Sequence, residues 1–163
     1  MVGAAILRLA SRCLALFAGI SACAISPERL PQLDRQFYYN LSSETEQKTF
    51  LELPRASRRF FLVAHGLWEK WDALTAAEQQ SVHHQQVHLK MSVFVAHMVW
   101  GAPADVRYQQ VYNGELRLET FIRCTSGAKV GRYVHKSTDC DGTSAEQLIA
   151  VDRGKIIEIQ YMD

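Results

Sequence analysis

Several kinds of chemistry are missing from this sequence before any fold is considered. No serine sits in a G-x-S-x-G elbow, which removes the exposed hydrolase nucleophile. No H-E-x-x-H pairs two histidines with a glutamate base, and no C-x-x-C pair offers half a zinc site. Charge of one sign is missing too. The chain has 18 basic and 17 acidic side chains, without the basic excess that holds a nucleic acid. Its tightest basic cluster, Arg55, Arg58 and Arg59 beside Phe60 and Phe61, reads as a solvated helix face. No repeat or low-complexity tract appears, and 163 residues suffice for one domain with a real core plus a leader.

Acid is absent from the start of the chain as well, with no Asp or Glu before Glu28. Arg8 and Arg12 give a positive beginning, residues 13–20 are apolar, and small residues follow, the pattern of an export signal over 1–22. The uncharged run over 13–27 is shorter than the roughly 20 residues of a membrane span. Ile20-Ser21-Ala22-Cys23 resembles the lipobox of bacterial lipoproteins. The resemblance implies that Cys23 becomes an acylated N-terminus, and two or three acyl chains hold a protein on a membrane where one does not. Ala24 follows, not the aspartate of inner-membrane retention, which points to the outer membrane. Ala22-Cys23-Ala24 also fits an ordinary signal-peptidase site, with cleavage after Ala24 and Cys23 discarded.

Export leaves Cys124 and Cys140 as the remaining cysteines, and an oxidising compartment favours their pairing. Closing that loop is worth about 3 kcal/mol in the chain-entropy picture. Two separate buried thiols are the alternative. Asp139 and Asp141 beside Cys140 are too isolated to argue a calcium site.

Pro27 and Pro31 argue against helix, so 23–40 reads as a lipidated cysteine and tether, with Gln36-Phe37-Tyr38-Tyr39 as its apolar exception. Ser43 with Glu46 forms a capping box that opens a helix ending before Pro54. Helical spacing predicts a second helix over 56–72 that buries Phe60, Phe61, Ala64, Leu67, Trp68 and Trp71. Thr75 with Glu78 caps a third, polar helix running to about Leu89, with Val82, Gln86 and Leu89 turned inward. Ser92 caps an apolar helix that ends in Trp100, Gly101 and Pro103. Strands follow over 106–112 and 115–121, joined by Asn113-Gly114, then over 130–135, 147–152 and 155–161, the last two joined by Arg153-Gly154. In the final strand Ile157, Ile159 and Tyr161 alternate with Ile156, Glu158 and Gln160. Helices precede strands, so the fold class is α+β, with N-terminal helices packed on a small antiparallel sheet of three or more strands.

Met91-Ser92-Val93 through Trp100-Gly101-Ala102-Pro103, with the hairpin after it and a closing strand pair, resembles the SmpA/OmlA (BamE-like) group of small outer-membrane lipoproteins. The resemblance covers roughly 78–161 and implies two helices on one face of an antiparallel sheet, with a role beside outer-membrane assembly. Lys90 stands where the family has glycine, and the segment 125–144, which Cys124 precedes and which holds Cys140, is atypical of it. Over 41–74, Phe50, Leu53, Arg58 or Arg59, Phe61, Trp68 and Asp72 resemble exported GWxTD-type domains, without the tetrapeptide itself.

His84 and His88 stand i, i+4 beside His83, the spacing of two metal ligands on one helix face, but they lack the general base of a zinc protease. A polar exposed face is the simpler reading, and His65 and His97 read as core or boundary histidines. The expectation is a non-enzymatic binding or scaffolding module with no metal or cofactor. It would be anchored to the membrane at Cys23, fold over 41–163 as a helical segment (41–77) and a helix-and-sheet unit (78–163), and meet an envelope protein but no nucleic acid. A soluble secreted binder or inhibitor is the alternative, and a metal or enzymatic protein using His83, His84 and His88 the third.

Overall fold

The computed structural model describes residues 26–112 and 114–162. Helices come first: a 3-10 turn at Pro27–Arg29, then α1 (Gln32–Tyr38), α2 (Glu44–Glu52), α3 (Arg55–Ala64), α4 (Leu67–Asp72), α5 (Ala76–His83) and α6 (Val93–Trp100). Strands β1 (Asp105–Val111), β2 (Gly114–Cys124), β3 (Tyr133–Val134), β4 (Ser144–Asp152) and β5 (Lys155–Met162) complete the α+β fold. The sheet is antiparallel in the order β1-β2-β4-β5, and β3 pairs with β2 at Ile122 and Arg123, beyond the end of β1.

Helix α6 is apolar on all sides because it lies between two cores. Phe94, Val95 and Met98 enter a helical core with Phe37, Phe50, Leu62, Trp71 and Val82. Ala96 and Trp100 enter a second core with Phe121, Ile149, Val151 and Ile156 of the sheet. Ser92 caps the helix by accepting from the Phe94 amide, and Gly101 ends it at φ +87°, a backbone position that glycine takes without strain.

The reading of 23–40 as a tether is corrected over its described part. Phe37 is 0% exposed and stacks on Trp68, while Leu30 and Leu41 are buried in the same core. The Asn40 side-chain amide donates to the His97 carbonyl (2.7 Å), and that of Gln36 donates to the Val82 carbonyl (3.2 Å). The prolines mark starts, not stops. Pro27 is the first residue of its turn, and Pro31 and Pro54 are the N-caps of α1 and α3, where proline's missing N–H costs nothing.

Four further expectations change. The helix read over 56–72 is broken by Gly66 at φ +67°, so its faces do not run on from α3 to α4. Phe60 is 78% exposed and Ala64 also faces out, while Arg58 and Leu62 turn inward. The Arg58 guanidinium is paid for by Asp34 at 2.8 Å and lies over the Phe50 ring. Helix α5 stops at His83, not near Leu89, because Gln85 takes φ +56°, and Gln86 and Leu89 beyond it are exposed, not turned inward. The third strand shrinks to Tyr133–Val134. In β5 a bulge beside Ala150 and Val151 shifts the phase. Ile156 is wholly buried opposite Val151, Ile159 pairs with Ile149, and Ile157 is thrown outward.

Capping chemistry is placed as expected at Thr75 and only in part at Ser43. Thr75 and Glu78 form the full reciprocal box, whereas Ser43 accepts from Glu46 but the Glu46 carboxylate reaches back to Ser42 instead. Glu78 also accepts from the Ser92 amide (2.7 Å) and from Lys155 (3.1 Å), tying α5, α6 and the last hairpin to one carboxylate. Burial alone would raise this acid. The Ser92 and Thr75 amides, Lys155 and the Thr75 hydroxyl outweigh it and hold the pKa at about 2.

Candidate functional site

Past the C-terminal end of α6 a cleft of about 690 Å3 opens. Its floor is Met98, Val99 and Trp100. One wall is the N-terminal segment, with Pro27, Glu28, Arg35, Tyr38 and Tyr39. The opposite wall is the end of β2 with the segment behind it: Arg123, Lys129, Arg132, Tyr133 and Asp139.

That second wall is held by a disulfide. Cys124 and Cys140 are bonded, with Cα atoms 5.5 Å apart. The ends of the loop are also laced by hydrogen bonds between the Thr125 and Thr143 hydroxyls (2.8 Å) and from the Thr143 amide to the Ser126 hydroxyl (2.8 Å). Gly142 fits between them because a Cβ there would meet Ser126. Tyr133 stacks on Trp100 with ring centroids 5.7 Å apart, and its hydroxyl donates to Gln147 (2.7 Å). Burial pushes the Tyr133 phenol up to about 12, with the Arg123 charge pulling the other way. It is a fixed neutral donor at physiological pH.

Four cationic side chains, Arg35, Arg123, Lys129 and Arg132, face two carboxylates in this cleft, those of Glu28 and Asp139. Arg132 Nη1 lies 3.1 Å from Glu28 Oε1, an exposed ion pair joining the two walls across 104 residues of sequence. Such a pair is worth at most about 1 kcal/mol and exchanges readily. Arg35 donates only to the Glu28 backbone carbonyl, at 3.4 Å, which leaves its charge unneutralised. Lys129 donates to the Asp139 carbonyl and lies 3.6 Å from Asp141. Arg123 has no hydrogen-bond or ion-pair partner among the described residues. The Tyr39 phenol is raised, by burial first and then by Glu28, while Arg132 and Arg35 oppose the rise; these groups share one electrostatic neighbourhood.

The residues singled out in the sequence divide into those at the cleft and those away from it. Trp100 and Gly101 line the cleft, and Cys124 and Cys140 fasten its wall. Pro103 lies between α6 and β1. Gly114 pairs with Val111, which places the first turn at residues 112–113, one residue earlier than the Asn113-Gly114 reading; Asn113 itself lies outside the described residues. Cys23 lies outside them too. His83 ends α5, while His84 and His88 follow it, so the i, i+4 helix face is not formed. Among the described residues no three potential metal ligands converge. His97 is a boundary histidine: its Nε2 lies 2.6 Å from Glu119 Oε2, and Arg117 lies against the other oxygen of that fully buried carboxylate. His65 stacks on Phe61 at the edge of the helical core.

Sequence reasoning missed Glu28, Arg35, Arg123, Arg132 and Tyr39. One signal was available: residues 125–144, with Cys140 among them and Cys124 just before, also carry Lys129 and Arg132. Comparison with known proteins adds no relative, since no family model, curated protein or solved structure matches the chain.

Proposed function

We propose that this protein is an exported lipoprotein of the bacterial cell envelope, a non-enzymatic binding module held at the outer membrane by Cys23, and that the cleft beside Trp100 is its binding site. The observation that carries the reading is the Cys124–Cys140 disulfide. It fastens one wall of the cleft, and a bond of that kind persists in an oxidising compartment. It therefore agrees with the leader at the start of the chain. The likeness of 78–161 to the SmpA/OmlA group supports an envelope role, including a link to outer-membrane assembly or maintenance. The proposal also includes an envelope protein as partner.

The position of the first turn gives this reading a consequence. Pro27 is four residues beyond Cys23, a reach of roughly 14 Å at full extension. An anchor at Cys23 would hold the domain and its cleft against the membrane surface, not at the end of a long tether.

Intact mass of the mature protein from a membrane fraction, beside a Cys23→Ser control, tests the proposal. The expected result is a lipid-sized increment that the control loses. A bare polypeptide beginning at Ile25 would contradict it and leave a soluble secreted binder.

A further inference from the structure

We infer that the cleft is a site for a small anionic molecule, one that joins a phosphate or carboxylate to a planar apolar portion, and that Glu28 is the built-in competitor for its anionic group. The inference rests on the reading of this cleft as the binding site and names the class of its ligand.

Three observations converge. The cations outnumber the carboxylates in the cleft and come from both walls, Arg35 from the N-terminal segment and Arg123, Lys129 and Arg132 from the other. A guanidinium presents a planar fork that matches phosphate and carboxylate oxygens. Arg123 is exposed and unpaired among the described residues, and Arg35 has only a carbonyl oxygen, so two charges await an anion. The second observation is the aromatic and apolar surface between them. Tyr39 is 40% exposed, Tyr133 and Val99 are half-buried, and the buried Trp100 and Met98 close the floor behind them. The third is the Glu28–Arg132 bridge. At 3.1 Å and largely in solvent, it occupies Arg132 as a bound carboxylate would, and it can yield to a ligand that also engages Arg35 and Arg123.

This arrangement makes an unusual demand. Loss of any nearby carboxylate tightens anion binding somewhat by charge alone, whatever Glu28 does there, and that effect does not depend on Arg132. A cleft in which Glu28 stands in for the ligand must bind more tightly when that carboxylate is removed.

The probe is phenyl phosphate, titrated against the processed protein and followed through the indole N–H resonance of Trp100. Phenol and inorganic phosphate serve as half-ligands. Saturable binding of phenyl phosphate is expected, at least tenfold weaker in Arg123→Gln and Arg132→Gln and several-fold tighter in Glu28→Gln, with both half-ligands much weaker. The gain in Glu28→Gln guards against variants that simply misfold, and it should be lost when Arg132→Gln is combined with it; a gain that persists without Arg132 would overturn the role of Glu28 as competitor. A flat titration would overturn the inference, as would an affinity that is the same in Glu28→Gln. Phosphate alone binding as well as phenyl phosphate would overturn the planar part of the ligand class. The result is independent of the anchor: a lipidated protein with a flat titration refutes only this inference, and a bare one with a normal titration refutes only the membrane reading.

Discussion

The two walls of the cleft stand by different means. The N-terminal wall is held by burial. Phe37 lies between Trp68 and Trp71, Leu30 and Leu41 enter the same core, and Asn40 ties α1 to the end of α6. The opposite wall has little core of its own, and Val130 in it is exposed. A disulfide, a few hydroxyl contacts and the stacking of Tyr133 on Trp100 hold it. One wall therefore shares the stability of the whole domain. The other can loosen while the domain stays folded.

The largest effects should fall on the buried side. Phe37→Ala is expected to destabilise the domain by ~3–5 kcal/mol in denaturant unfolding, because a fully buried ring leaves a cavity in a shared core. A true tether would show no change. Trp100→Ala should cost a similar ~3–5 kcal/mol and disturb both walls, since that ring packs on Phe121 and under Tyr133. Replacing both Cys124 and Cys140 by serine should cost about 3 kcal/mol for the loop they close. It should leave the far-ultraviolet circular dichroism of the helices unchanged; lost helicity would mean that the walls are not separable.

Glu78 sharpens the comparison through pH. Its carboxyl is held at about 2 against an ordinary 4.5, so its ionised form is the one the fold stabilises. That contribution, on the order of 3 kcal/mol, is complete above about pH 4.5 and is lost as pH falls toward 2. Glu78→Gln should flatten acid unfolding across that window, and an unchanged acid profile would show that the carboxylate is not the tie. The smallest effect is expected for Glu28→Gln, within about 0.5 kcal/mol, because an exposed ion pair contributes little to stability.

What was legible in the sequence follows the same division. Capping at Thr75, the apolar helix ending at Gly101 and the Arg153-Gly154 turn are local chemistry, and each stands where the residues put it. The disulfide was legible by elimination once export was read from the leader. Residues 27–38 were not legible, because proline breaks a helix interior and yet opens a helix, and only the packing of Phe37 decides between the two. The bulge that buries Ile156 and exposes Ile157 depends on how β5 meets β4. The cleft depended on such distant meetings too. Glu28 and Arg132 are an ordinary turn glutamate and an ordinary loop arginine until the fold sets them 3.1 Å apart.

Amide hydrogen exchange, with and without reductant, tests the central claim most directly. The account predicts that the amides of Tyr39, Asn40 and Leu41, which close the end of α1, are protected to the same degree as those of α6 under both conditions. The amides of Gly131 and Arg132 should lose protection when Cys124–Cys140 is reduced. Exchange of residues 39–41 at the rate of an unfolded chain, or a Gly131 amide indifferent to reduction, would contradict it.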